Sequence, residues 1–367
     1  MDKRTSLRKS DLGFSLVELL VATAITLVSL LIIVQVFSVY DGWKRTTTGT
    51  AQSQENGLLA AFSIERDLRS AGFGMVGLGC STINAYNAGL LAPPISATGL
   101  PVTITQGSPV AGTDRISILY SSSPFGNIAA RLQVDMPDSD GTLRVNNGVG
   151  FNQGDMIILF EPPKDCSILQ LSENAQATGV PNVTGPGNAW DLPHADVGPN
   201  GIAYPWNTPS NPANILVPAA GYTLAGGAQV LNLGQLVDRS YYVQNNMLRM
   251  DERNLLDATL TTFDLIPGVI GLRARYGRDT TGDGVLDEPL DNDTAGLIAA
   301  GVVGNNTLVA VQISLIVRSG NWERNEVSPA TIDYWPGETL ALGADDRHYR
   351  YRVFQTVVPL KNMIWNN

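Results

Sequence analysis

The sequence predicts an α+β protein, with one long N-terminal helix followed by an antiparallel, β-rich head. Three observations carry that prediction. Residues 19–40 pass without a charge, residues 51–69 continue at helical spacing, and beyond about residue 75 short apolar runs alternate with Gly, Pro and Asn.

The chain opens on a basic leader, in which Lys3, Arg4, Arg8 and Lys9 outnumber Asp2 and Asp11. The charge-free stretch behind it, as a helix, is about 33 Å long, enough to cross a hydrocarbon core. Glu18 stands at the mouth of that stretch. An ionisable residue at such a place is costly, which marks it as functional. Thr23, Thr26 and Ser29 are small polar positions suited to close helix packing. Beyond Tyr40 the segment Asp41-Gly42-Trp43-Lys44-Arg45 reads as an interfacial anchor. Basic residues lie on both sides of the apolar run, so charge alone does not fix its orientation.

From residue 51 to 69, Leu58, Ala61, Phe62, Glu65, Leu68 and Arg69 recur at helical spacing and predict an amphipathic half-helix packed on the head. Glu65 and Arg69 are four apart and predict an exposed pair, while Gly72 and Gly74 predict the helix end. Strand candidates follow at 115–120, 155–160 and 167–171. A hairpin is predicted at 241–250 around Asn245-Asn246. Residues 309–317 alternate as a half-buried strand, and Tyr349, Tyr351 and Val353 alternate with Arg350 and Arg352 in the last one. Residues 180–227 carry eight prolines and predict a surface excursion, tacked down by Trp190, Tyr204 and Trp206.

The run Gly13-Phe14-Ser15-Leu16-Val17-Glu18, with the apolar stretch behind it, resembles the class III signal of type IV prepilins. A secretory signal peptide would place its cleavage site after the apolar core, and a plain anchor needs no such motif. The resemblance implies cleavage between Gly13 and Phe14 by a prepilin peptidase and methylation of the Phe14 amine. It also implies that Glu18 pairs with the Phe14 amine of a neighbouring subunit. Further runs narrow the resemblance to PilW-type minor pilins. These are residues 64–73, ending in Ala71-Gly72-Phe73, the strand at 308–319 ending in Arg318-Ser319, and the closing segment 351–362. The family more often carries Arg before the closing Asn, where Lys361 stands here.

The implied layout is a pilin-like lollipop. It has a leader (1–13), a transmembrane and assembly helix (14–40), a periplasmic half-helix (41–74) and a head (75–367) that includes the insertion at 180–227. Implied partners are other minor and major pilins, the prepilin peptidase and the inner-membrane assembly platform. The implied location is the inner membrane with a periplasmic head, then an extracellular pilus, with the large head suited to its tip. With both cysteines outside the membrane, Cys80 and Cys166 are expected to form a disulfide, the alternative being two free thiols.

The stretch Tyr276-Gly277-Arg278-Asp279 leads into Asp279-Thr280-Thr281-Gly282-Asp283-Gly284-Val285-Leu286-Asp287, a form PilW-like proteins share. Oxygen ligands at alternating positions predict a calcium loop within 276–293, formed by Asp279, Thr281, Asp283, the Val285 carbonyl and Asp287. Gly284 would permit the sharp turn. Leu290 stands where a bidentate Glu is usual, with Asp291 and Asp293 close by as substitutes. The alternative is an acidic hairpin loop without an ion. A second acidic cluster, Asp135, Asp138 and Asp140, reads as a solvated turn.

The net charge of −10 gives no basic footprint for nucleic acid. His194 and His348 are the only histidines; neither has protease or triad spacing, and they read as a loop and a strand-edge residue. No phosphate loop or nucleophile elbow is present, so no enzyme is expected. Two rivals share the N-terminal motif. One is a J-like tip pseudopilin of type II secretion, and the other is an adhesin head on a pilin stem whose insertion carries binding.

Overall fold

A computed structural model describes residues 15–75, 78, 80, 83–85, 101–109, 112–123, 129–178, 189–207, 218, 220–254, 259–279, 281–283, 285–289, 308–335 and 337–364. The helix α1 (Leu16–Ser70) is followed by β1 (Ile83–Ala85), β2 (Val102–Thr105), β3 (Arg115–Ser121), β4 (Ala130–Arg131) and β5 (Arg144–Val145). Next come β6 (Met156–Phe160), β7 (Cys166–Gln170), β8 (Gln176–Thr178), β9 (Ala189–Asp191) and β10 (Gln229–Gly234). The second half holds β11 (Leu236–Gln244), β12 (Met247–Arg253), β13 (Leu260–Pro267), β14 (Val269–Arg278) and β15 (Glu288–Pro289). It closes with β16 (Leu308–Arg318), β17 (Thr331–Trp335), β18 (Glu338–Ala341), β19 (Tyr351–Pro359) and a short helix α2 (Lys361–Ile364).

The predicted α+β organisation is the observed one. α1 runs unbroken for 55 residues, about 80 Å. The Ser15 side chain accepts from the Val17 amide at its start, and the chain turns out of the helix at Gly72, in the left-handed region at φ +73°. Glu65 and Arg69 form the expected pair on its surface.

Two sheets and α1 share a first core. One sheet has the order β13-β12-β11-β3-β2 and the other β15-β14-β16-β19. Ala60, Ile64 and Leu68 of α1 are fully buried between them, with Ile116, Tyr241, Leu272, Ile313 and Leu315. The Tyr276 hydroxyl joins the sheets by accepting from the Ile104 amide (2.8 Å) and donating to the Val102 carbonyl (3.2 Å). The hairpin β11–β12 turns through Asn245 and Asn246, both at positive φ, as the Asn-Asn pair predicts.

Three expectations about this unit are corrected. Leu58 and Phe62 do not face the head but are 57% and 63% exposed; the docking face is Ser53, Gly57, Ala60, Ile64, Asp67 and Leu68. The head brings the bulk to this contact, so the helix presents small residues. β16 is not half-buried but buried along both faces, because α1 lies over one and the β17–β18 hairpin covers the other through Ile332, Tyr334 and Trp335. Tyr349 precedes the last strand, and His348 lies in the 3-10 turn Asp346–His348, stacked on Trp322, rather than at a strand edge.

A second core lies elsewhere. Its main sheet has the order β1-β7-β6-β10-β4, and a smaller one joins β5, β9 and β8. β6 and β7 are buried at every residue, as central strands of a sheet covered on both sides. Cys80 and Cys166 are disulfide-bonded, with Cα atoms 5.4 Å apart, and tie β7 to the segment that leads into β1.

The segment at 180–227 is only partly a surface excursion. Leu192, Tyr204, Trp206 and Tyr222 are buried, and Trp190 is half-buried in β9. Tyr222 donates to the Asp165 carbonyl (2.8 Å) and shares a hydrogen bond with Ser167 (2.7 Å). Proline here breaks up strands without keeping the aromatic residues at the surface. Residues 179–188, 208–217 and 219 of this segment lie outside the described residues.

Candidate assembly interface and acidic loop

Residues 16–43 of α1 are exposed along their whole length, apolar side chains included. The helix is long and apolar enough to cross a membrane. Its small polar residues bond within the helix: Thr23, Thr26 and Ser29 donate to the carbonyls of Leu20, Ala22 and Ile25 at 2.9, 2.7 and 2.9 Å. Apolar surroundings therefore leave none of these three hydroxyls unbonded. Glu18 lies exposed in the first turn, where a carboxylate also complements the positive end of the helix dipole. Gly13 and Phe14 lie outside the described residues. Trp43 is 73% exposed, and Arg45 pairs with Asp41 one turn back at 3.0 Å.

The other half of α1 is fixed to the head by a series of specific contacts. The Asn321 amide donates to the Arg45 carbonyl (3.1 Å), and the Asn56 amide donates to the Pro267 carbonyl (2.9 Å). A Cβ at Gly57 would overlap the Phe354 ring, so glycine is what lets the helix lie on β19. Near the helix end, buried Asp67 accepts from the Tyr241 hydroxyl (2.7 Å) and from Arg239 (3.1 Å). Arg239 also bonds Glu252 (2.8 Å) and the Tyr120 hydroxyl (3.2 Å). Burial and the Asp67 carboxylate push the Tyr241 phenol far above its ordinary range. For Arg239, the bonds to Glu252 and Asp67 outweigh burial and keep the guanidinium charged. Asn362 of α2 closes the helix end by donating to the Ser70 and Ala71 carbonyls.

This ionic lock was not predicted. Its signal was a charged residue on the buried side, three residues after Ile64 and seven after Ala60. It faces a Tyr-Tyr strand whose preceding Arg supplies the counter-charge.

The acidic loop connects β14 to β15, paired at Gly277–Pro289 and Arg278–Glu288. Carboxylate oxygens of Asp279, Asp283 and Asp287 lie within 4.8 Å of one another. Asp279 is buried and the other two are exposed. The loop amides of Gly282, Thr281 and Val285 donate to Asp279 (2.6 Å), Asp287 (3.1 Å) and Asp283 (2.8 Å). The Thr281 hydroxyl also reaches Asp279 (3.4 Å). The three carboxylates are thus gathered and fixed, and their oxygen spacing suits a cation with metal–oxygen distances of about 2.3–2.6 Å. The described left-handed turn residue is Gly282, at φ +79°. Thr280, Gly284, Leu290, Asp291 and Asp293 lie outside the described residues.

His194 sits in the loop after β9, its ring nitrogens against the carbonyls of Leu192 (2.9 Å) and Ser139 (3.0 Å). That is a structural use of the ring, which ties the loop after β9 to the Ser139 backbone.

The family of the type IV pilus-assembly protein W matches residues 238–362, and the prokaryotic N-terminal methylation motif matches residues 8–34. Over these stretches the chain is prepilin-like, of the PilW type. Both matches are to structural components of pilus assembly. The PilW match runs from within β11 into α2 and includes β16 and β19, on which α1 lies, and the methylation motif covers the end of the leader and the apolar run as far as residue 34. No curated protein and no solved structure matches the chain.

Proposed function

We propose that this chain is a minor pilin of the initiating or tip complex of a type IV pilus. Prepilin peptidase cleaves it between Gly13 and Phe14, and the Phe14 amine is then methylated. The observation that carries this reading is Glu18, an exposed carboxylate at the start of a helix whose apolar half stands exposed along its whole length. In lipid an isolated carboxylate at that place is costly. Pairing it with the Phe14 amine of a neighbouring subunit removes two isolated charges from an apolar setting, which favours assembly and fixes register.

The test is the intact mass and N-terminal sequence of the chain in sheared filaments. A methylated Phe14 start is expected; a chain beginning at Met1 in a strain with active peptidase would overturn the reading. Replacing Glu18 with Ala should leave processing intact and lower recovery in filaments by about tenfold, the equivalent of one ionic contact.

The acidic loop is proposed to bind calcium through Asp279, Asp283 and Asp287, with Thr281 and the Val285 carbonyl completing the set. Gathered carboxylates repel one another without a cation, which supports this role. Millimolar Ca²⁺ should raise the melting temperature of the purified chain, and D283N/D287N should abolish the rise. An equal rise in that variant would reject the loop as the site.

A further inference from the structure

The chain enters and leaves the second core at a single corner. After α1, the Phe73 carbonyl accepts from the Ser121 amide (3.0 Å), and the chain then departs for Cys80 and β1. It returns at Pro101, whose carbonyl accepts from the Leu119 amide (2.9 Å). Departure and return are therefore two residues apart on one edge of β3. The second excursion leaves at Ser121 and comes back at Leu236, and these two residues pair directly on the other edge of β3.

All four crossings thus meet at the end of one strand. The backbones there are close: Gly74 and Gly234 are at φ +78° and +58°, and a Cβ on Gly74 would fall 2.9 Å from the Ser121 Cβ. Met75, Leu119 and Leu236 give this neck its apolar contact with Met156, Leu231 and Leu233. Beside it the two units stand apart over an open crevice of ≈ 340 Å³, lined by Gly154 and Met156 on one side and Glu252, Thr261 and Phe263 on the other.

Three further observations separate the two units. Among the described residues, the strands of the second core pair only with one another. The disulfide joins two segments of the second core and none of the first. The PilW match begins at residue 238, two residues after the chain has returned.

We propose that residues 78–85 and 129–234 form a second unit, independently stable and dispensable for assembly. Filament incorporation is carried by α1 and the first unit; the second is cargo presented by them. This rests on the minor-pilin reading. The neck adjoins the C-terminal end of α1, so the cargo lies at the end of the helix farthest from the membrane.

The test uses the full-length protein and two core substitutions. Calorimetry should resolve two transitions. Leu159→Ala, in the second core, should lower one of them by roughly 10 °C, and Leu315→Ala, in the first, should lower the other by a similar amount. A single transition moved by both substitutions would overturn independent stability. In cells, Leu159→Ala should be recovered in sheared filaments within about twofold of wild type, since distant sites act independently. Leu315→Ala should be depleted. A Leu159→Ala chain whose first-unit transition is intact, yet which is absent from filaments, would overturn dispensability. Absence of the wild-type chain from filaments would instead reject the minor-pilin reading.

Discussion

Asp67 is 2% exposed and holds three cationic or phenolic groups around it: Arg239, Tyr241 and Arg66. Replacing it with Ala strands the half-buried Arg239 without its main buried counter-charge. The expected loss is roughly 3–5 kcal/mol, read from denaturant midpoints. Two other carboxylates set the response to acid. At Glu161 burial works to raise the pKa, but bonds from Lys164 and from the Thr223 amide and hydroxyl outweigh it and hold the group below its ordinary value. At Asp251 burial is likewise outweighed, by Thr262, Arg115 and Tyr242. Both groups are lowered on folding, so their contribution is complete above the unfolded carboxylate range of about 4 and is lost as pH falls through the lowered folded values. Melting temperature should drop below about pH 4, and Glu161→Gln with Asp251→Asn should flatten that dependence.

Among elements, α1 shows most clearly what could be read from the chain. Its length, continuity and end followed from the charge-free run, the helical spacing behind it and Gly72. Its docking face did not follow, because a search for large apolar residues finds Leu58 and Phe62, whereas β19 places Phe354 where only Gly57 leaves room. The bulk is on the partner, some 300 residues away in sequence, and no local pattern reports it. Gly57→Ala should cost about 1–3 kcal/mol by forcing the helix off the sheet, and trimming Phe354 to Leu should restore part of it. At the acidic loop, the three aspartates that the spacing singled out are gathered together, and Gly282 is a left-handed turn residue among the described ones. The disulfide was legible only as two cysteines on one side of a membrane. Cys80→Ser with Cys166→Ser should lower stability by about 2–4 kcal/mol, seen as a shift in the second-unit transition alone.

At the scale of the whole molecule, the division into two units was hidden in the sequence. Ser121 ends β3 and Leu236 begins β11, and the short run Ser121-Ser122-Ser123-Pro124 at the first boundary has the composition of an ordinary turn. The prolines of 180–227 pointed to a surface excursion, but Trp206 and Tyr222 of the same segment are completely buried. What could be read was the ends of the chain, where the motifs lie. The middle is defined by pairings between β6, β7 and β10 and by the neck, all of which are non-local.

The strands that seat α1 have a consequence for the order of events during synthesis. β16 and β19 emerge some 240 residues or more after Ile64 and Leu68, which they bury. The cystine and the second core are complete well before that, so the distal part of the molecule can mature while the stalk is still waiting for its seat. A chain interrupted before β16 would carry a finished outer unit on a helix with nothing to hold it. Only the full-length product has a helix fit for insertion into a filament.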